Sequence, residues 1–165
     1  MLQKQKGFSL VELMVVVAIM LIMGTVALPT LVKLLPAYTL KNTARELCSN
    51  MRKARSMALK QNRDVLMIFT PGDNSYKVDT ITVKLAEGVV FGSGTAATPA
   101  SNGPALQTDG IDFDSNQITF NGRGLTTSSN QYVYLTNNRS LTVAIGASAA
   151  GNIAMHQWSD GAWQP

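Results

Sequence analysis

One carboxylate stands at the start of a long apolar segment near the amino terminus. Residues 13–32 contain no charge, and Glu12 directly precedes them. An ionised carboxylate costs on the order of 3 kcal/mol at the middle of a bilayer by insertion scales. Two interpretations follow: Glu12 reaches water at the interface, or it pairs with a positive group brought by another molecule. The free α-amino group of a neighbouring chain would serve, and it would fix the axial register of two packed helices.

The remaining side chains offer little further chemistry. A single cysteine excludes an internal disulfide, and with a single histidine no ordinary Cys/His zinc site can be assembled. His156 lies in an alternating segment typical of a strand surface or rim. Asp109, Asp112 and Asp114 suggest calcium, but they lack the spacing of an EF-hand loop. No phosphate-binding loop or nucleophile motif occurs, so the sequence predicts no enzyme, no metal and no cofactor.

The basic character of the chain is confined to its first part. The net charge is +4 and the isoelectric point about 9.4. Residues 33–63 hold eight bases and one acid, whereas residues 64–165 hold four bases and eight acids. A domain with that acidic balance lacks the cations that drive affinity for nucleic acid. Charged residues make up only 15% of the 165 residues, which excludes a disordered chain.

The apolar segment 13–32 is long enough for a membrane helix. Twenty residues at 1.5 Å each span about 30 Å, the thickness of a bilayer core. A cleaved secretory signal is disfavoured, because such signals are shorter and their small-residue site follows the apolar core. Here the nearest such site, residues 25–27, lies inside the segment. Basic residues flank both ends, and their count alone would place the carboxyl side in the cytoplasm.

Gly24 and Pro29 mark a weak point in this helix. A proline in a helix interior removes one hydrogen bond and costs about 3 kcal/mol, and glycine adds backbone freedom. The pair predicts a segment that unwinds when subunits pack together. A simple kink is the other interpretation.

A second, amphipathic helix is predicted over Tyr38–Asn62, after a bend that Pro36 permits. Its apolar positions alternate spacings of four and three residues and define one face against a sheet. They are Leu40, Ala44, Leu47, Met51, Ala54 and Ala58. Cys48 lies beside them as a packing residue. The bases on the other faces are either a solvated surface or contacts to anionic lipid or acidic subunits, and no aromatic residues interleave with them for nucleic acid.

The distal part, residues 64–165, reads as short strands and turns. Six to eight strands on one long helix predict an α+β fold with an antiparallel sheet. Nine segments are candidates for these strands: Val65–Thr70, Tyr76–Asp79, Ile81–Leu85, Val89–Phe91, Ile111–Phe113 paired with Gln117–Phe120, a hairpin of Tyr132–Thr136 and Leu141–Ile145, and Ile153–Trp158 as the closing strand. The Gly-, Ala- and Ser-rich loop 92–110 is unusually long, which suggests function or mobility.

Two motifs carry a family resemblance. The sequence GFSLVE at residues 7–12, followed by the apolar segment, resembles the class III signal of type IV pilins and type II secretion pseudopilins. The pattern ARS-x-A at residues 54–58, followed by Asn62 and Val65, is similar to the GspH/FimT branch of minor pilins and pseudopilins. The resemblance implies a pilin fold, with a helix that forms the filament core and a β-rich head that faces outward.

The resemblance also implies how the amino terminus is processed. A prepilin peptidase would cut between Gly7 and Phe8 and methylate the new amino terminus at Phe8. Glu12 then occupies the fifth mature position, where the family has its assembly glutamate, and Pro29 occupies mature position 22. The family places the amino terminus in the cytoplasm and the carboxyl domain outside the inner membrane. The implied organisation is a leader 1–7, a membrane or filament-core helix 8–35, an amphipathic helix 36–63 and a head domain 64–165.

The implied partners are other pilin or pseudopilin subunits, the prepilin peptidase and an inner-membrane assembly platform. The single cysteine argues against the disulfide loop of many major pilins, so we expect a minor subunit.

Two alternatives stay open. Some FimT proteins bind DNA through a GRxR motif, but residues 151–154 (GNIA) lack both arginines, and Arg123 and Arg139 are the arginines left for a tip-located DNA-binding role. The other alternative is a simple membrane-anchored periplasmic domain.

Overall fold

The computed structural model describes residues 8–100, 105–127 and 130–165, with the backbone alone for residues 26–31. The chain divides into two compact units, one that ends at Leu35 and one from Pro36 to Pro165. The predicted leader 1–7, including Gly7, lies outside the described residues.

A single helix, α1, covers Leu10–Gln61. It runs without interruption through Gly24 and Pro29, so unwinding there stays a prediction for the packed state. The helix ends one residue before the predicted Asn62, which takes the left-handed conformation at φ 45°. Asparagine tolerates that conformation, which commonly terminates helices.

Among the described residues, no helix is long and apolar enough to cross a membrane. The predicted membrane segment 13–32 includes residues 26–31, whose side chains lie outside the described part.

Two antiparallel sheets follow the helix. The described part of the chain holds β1 Val65–Thr70, β2 Ser75–Val78, β3 Ile81–Lys84, β4 Val89–Phe91, β5 Gln117–Phe120, β6 Gln131–Asn137, β7 Thr142–Ala147, β8 Ile153–Ser159 and β9 Ala162–Gln164. The first sheet has the order β3-β2-β1-β5 and the second β4-β6-β7-β8-β9. The predicted α+β class is confirmed, and so is the hairpin now seen as β6 and β7.

The predicted pairing of Ile111–Phe113 with Gln117–Phe120 is wrong. Strand β5 pairs with β1 in the first sheet, whereas Ile111 forms an isolated bridge with Val133 of the second sheet. Between them Asp114–Asn116 forms a 3₁₀ turn in which Ser115 and Asn116 both have φ near 55°. Those two left-handed residues redirect the chain from one sheet to the other.

The prediction that Ile153–Trp158 closes the fold is also wrong, because another strand follows it. Strand β8 is followed by β9 across a two-residue turn, Asp160-Gly161, in which both residues have positive φ. Asp-Gly is a favoured pair for such tight hairpins. The turn brings Trp158 opposite Trp163, with ring centroids 5.2 Å apart.

The helix and both sheets share one hydrophobic core. The predicted apolar face of α1 is confirmed, because all six of its residues are at most 2% exposed. They pack with inward-facing strand residues and with stacked rings of Phe69 and Phe113, whose centroids are 5.5 Å apart. Three of the six helix positions are alanine, which lets the backbone of α1 approach the sheets closely. Cys48 is buried beside this face, and burial raises the pKa of its thiol.

Candidate assembly site

Phe8 and Glu12 lie at the amino-terminal start of helix α1. Phe8 precedes the helix and is 83% exposed. The first helical turn is closed by the Leu13 amide, which donates to the Ser9 carbonyl oxygen at 3.2 Å. Glu12 is exposed in this first turn, where a negative side chain interacts favourably with the helix dipole.

The side chains around Glu12 are apolar and exposed on every face of the helix. Those of Leu10, Val11, Leu13 and Met14 are 61–74% exposed, and exposed apolar side chains continue to Met23. A helix that is hydrophobic all round requires lipid or neighbouring helices as cover. In such surroundings the Glu12 carboxylate needs a cationic partner, because an unpaired buried charge is costly.

Arg55 does not belong to the solvated set of bases on α1. Its Nε donates to the Gly124 carbonyl oxygen at 2.9 Å and its Nη2 to the Ala150 carbonyl oxygen at 3.2 Å. Gly124 and Gly151 both have positive φ, and a Cβ at Gly151 would meet the Arg55 guanidinium at 2.7 Å. This half-buried arginine therefore fastens two loops to the helix. The sequence Asn121-Gly122-Arg123-Gly124 is typical of a turn, but nothing in it indicates Arg55 as the partner.

Other bases on α1 fit the prediction of an exposed basic surface. They are Lys41, Arg45, Arg52, Lys53 and Lys60.

Arg123 and Arg139 are not brought together. The Arg123 amide donates to Asn121 Oδ1 in the turn that Arg55 holds. The Arg139 amide donates to Asn137 Oδ1, and Asn137 Nδ2 donates to the Pro36 carbonyl oxygen at 3.0 Å. Pro36 and Arg55 are separated by about 28 Å along the helix at 1.5 Å per residue. The two arginines therefore lie near opposite ends of the helix portion within the second unit.

The three aspartates that suggested calcium, Asp109, Asp112 and Asp114, lie in different environments. Asp109 accepts from the Ile111 amide and from Asn116 Nδ2, at 3.2 and 3.0 Å. Asp112 is buried and accepts from the Tyr134 hydroxyl at 3.0 Å, and Asp114 is exposed. Across the described ranges, no group of three or more His, Cys, Asp or Glu residues is placed to hold a metal ion.

His156 is half-buried on β8, and its ring meets Tyr132 edge-on at 5.8 Å. That position fits the rim residue that the alternating pattern predicts.

Two family models match the chain. The prokaryotic N-terminal methylation motif matches residues 2–28, which include the Phe8–Glu12 segment. The model of the type II transport protein GspH matches residues 43–151, from the second half of α1 through β7. The chain belongs to the GspH family. No curated protein and no solved structure matches it.

This membership confirms the resemblance to type IV pilins and pseudopilins of the GspH type, and with it the pilin fold of a helix on antiparallel sheets. This GspH-family protein is a structural pilus or pseudopilus subunit that assembles with other pilin subunits. Its family is membrane-anchored and generally non-enzymatic. Strands β8 and β9 lie beyond the matched residues.

Proposed function

We propose that this chain is a minor pilin or pseudopilin, cut between Gly7 and Phe8 by a prepilin peptidase and methylated at Phe8. The product enters a type IV pilus or a type II secretion pseudopilus. One observation carries the proposal: within the methylation motif, a carboxylate stands in the first turn of a helix whose surrounding side chains are apolar and exposed.

The chemistry of assembly follows from that arrangement. The cut creates a cationic amino group on Phe8, four residues before Glu12. When apolar helices pack, both charges enter a medium of low dielectric constant, where pairing is strongly favoured over isolation. The Phe8 amine of one subunit therefore pairs with Glu12 of its neighbour, and the pair fixes the stagger of the two helices.

The same proposal gives the chain its place in the cell. Residues 8–35 hold the precursor in the inner membrane with the amino terminus in the cytoplasm, and they become filament core after assembly. The head, residues 64–165, lies outside, on the amphipathic segment 36–63. An inner-membrane platform inserts the subunit, and unwinding at Gly24 and Pro29 adapts the helix to its neighbours.

A charge-removing variant of Glu12 tests the proposal. We expect Glu12→Ala and Glu12→Gln to be cut and methylated normally but to enter filaments at a strongly reduced level. Asp64→Asn, which removes an exposed carboxylate after the helix, serves as the matched control and should assemble normally.

Two measurements read the outcome. Mass spectrometry of the mature chain should find N-methyl-Phe8 in all variants, and a retained Met1 would contradict the processing. Quantitation of sheared filaments or of cross-linked pseudopilus reports incorporation. Normal incorporation of Glu12→Gln would refute charge pairing while leaving the processing intact.

The geometry gives less support to DNA binding. A joint phosphate site needs clustered cations. The turn with Arg123 is held at Arg55 and the turn with Arg139 at Pro36, and these two helix residues are about 28 Å apart along α1.

A further inference from the structure

Residues 93–100, here called the strap, are fastened to the second sheet by polar contacts along their whole length. At the start, Thr142 Oγ1 donates to the Ser93 carbonyl oxygen and Thr95 Oγ1 donates to the Ser140 carbonyl oxygen, both at 2.9 Å. Further on, Trp163 Nε1 donates to the Thr98 carbonyl oxygen, also at 2.9 Å.

The end of the strap rests on a buried tyrosine. The Ala100 amide donates to the Tyr134 hydroxyl at 3.1 Å, and both residues are fully buried. Ala100 and Tyr134 form a small cluster with Tyr132 and Ala144, onto which Leu106 and Trp163 pack. The Trp163 ring lies 5.7 Å from that of Tyr134. The strap and the last strand therefore cover the tyrosine together.

Beneath this cover lies a carboxyl group with an incomplete set of partners. Asp112 is 6% exposed, and its Oδ2 accepts from the Tyr134 hydroxyl. The same hydroxyl thus accepts from the strap and donates to Asp112. The other oxygen, Asp112 Oδ1, is buried without a hydrogen-bond partner. A neutral carboxyl group tolerates such a position far better than a carboxylate, for which desolvation is expensive.

Among the described residues, the ionisable groups around Asp112 give the carboxylate no positive partner. On β6 they are Tyr134 and Tyr132, with His156 of β8 against Tyr132, and on the chain just before Asp112 there is Asp109. Burial raises the pKa of Asp112 to about 6 and outweighs the Tyr134 hydroxyl and the nearby backbone of Gln107 and Tyr132, which lower this pKa. The negative charge of Asp109 acts in the same direction as burial. Burial also raises the pKa of Tyr134, which therefore stays a neutral donor.

We propose that the strap is controlled by a proton: it is docked on Tyr134 and Trp163 while Asp112 carries a proton, and it is released when Asp112 is ionised. Release admits water to the carboxylate, because Ala100 of the strap packs with Leu106 and Trp163 on its tyrosine partner.

The direction of the pH effect follows from linkage. Asp112 in the docked state has a pKa of about 6, above the ordinary 3.8 of an aspartate in water. Protonation of Asp112 therefore contributes its full stabilisation of the docked state below the ordinary pKa. This stabilisation is lost as the pH rises through about 6. With those two pKa values, the equilibrium constant for docking of the strap is about tenfold smaller at pH 7.5 than at pH 5.

Hydrogen–deuterium exchange of the full-length chain in detergent measures this directly. Protection factors, which already account for the intrinsic pH dependence of exchange, should fall about tenfold for a peptide covering the strap between pH 5 and pH 7.5. Asp112→Asn cannot ionise, so its strap should keep high protection at both pH values. Unchanged protection in the wild type, or a persistent tenfold fall in Asp112→Asn, would overturn the proposal.

A second pair of variants keeps the test decisive if Asp112→Asn does not fold. His156→Gln removes the only histidine of the sequence and should leave the tenfold fall in protection in place. If the fall were lost in this variant, the pH effect would belong to His156, and the proposal would be refuted. Trp163→Phe removes the bond to Thr98 without touching Asp112. It should lower strap protection at both pH values and leave their ratio near tenfold, and an altered ratio would contradict the proposal.

Discussion

Arg55 shows how one side chain on the helix determines the position of two distant loops. Its two hydrogen bonds reach Gly124 and Ala150, which are 69 and 95 residues further along the chain. Neither acceptor is a side chain, but the contact depends on glycine in the loops, because a Cβ at Gly151 would meet both the Gly124 carbonyl oxygen and the guanidinium. The stabilising group is the planar guanidinium, whose several donors serve both carbonyl oxygens at once.

Replacing this guanidinium should destabilise the head. We expect Arg55→Met to lower the free energy of unfolding by about 1–2 kcal/mol, since both carbonyl bonds are lost while much of the aliphatic chain is kept. Urea denaturation of the two proteins measures the difference. Arg52→Met, one turn away at an exposed position, is the matched control and should change stability by less than about 0.5 kcal/mol. Equal effects of the two variants would assign the loss to general charge rather than to the loop contacts.

The role of Arg55 could not be read from the sequence, whereas that of Glu12 could. Glu12 is distinguished by what surrounds it in the chain, an apolar segment that makes any charge conspicuous. Arg55 is one of several bases on an amphipathic helix, and its partners depend on where two distant loops return. The same holds for Asp112, whose partner Tyr134 lies 22 residues further along the chain.

Strand β7 depends on a glycine for its packing. Gly146 faces Tyr132 across the β6–β7 pair, and a Cβ at this position would meet the tyrosine ring and, at 2.5 Å, the carbonyl oxygen of Gln131. Because one of these obstacles is backbone, the strand pair itself has to shift to make room.

Gly146→Ala should therefore destabilise the second sheet. We expect the free energy of unfolding to fall by about 1–3 kcal/mol, the usual cost of overpacking. This cost outweighs the gain that alanine brings by making the unfolded chain less flexible. Thermal or urea unfolding measures it, with Gly72→Ala as the control because a Cβ there meets nothing within 4 Å. A stability of Gly146→Ala equal to that of the control would show that the strands accommodate the extra methyl group.

At the level of elements, local patterns predicted most of the fold. Apolar spacing identified the buried face of α1, and alternation identified β1 to β4 close to their observed ends, because both signals reside in consecutive residues. The assignment of Ile111–Phe113 and Gln117–Phe120 to different sheets depends on the left-handed Ser115 and Asn116, which are not glycine and gave no signal.

For the whole molecule, the described core contains no side chain from the first unit. Both hydrophobic clusters begin at or after Leu40 and draw on the helix, the two sheets and the strap. The first residue of the second unit also contributes a backbone bond, since Asn137 donates to the Pro36 carbonyl oxygen. The apolar side chains of residues 10–23 are exposed, which suits a segment that other molecules cover.

A fragment of residues 36–165 should therefore fold by itself. We expect a cooperative urea transition, because every side chain of the two described hydrophobic clusters is retained. A shorter fragment that starts at residue 42 loses Leu40, which is 2% exposed, and the Pro36 carbonyl oxygen. It should be less stable by about 3 kcal/mol, the usual cost of deleting a buried leucine side chain. Neither fragment carries Phe8 or Glu12, so neither should enter filaments. If the longer fragment failed to fold, the first 35 residues would be part of the folding unit and not only of the assembly.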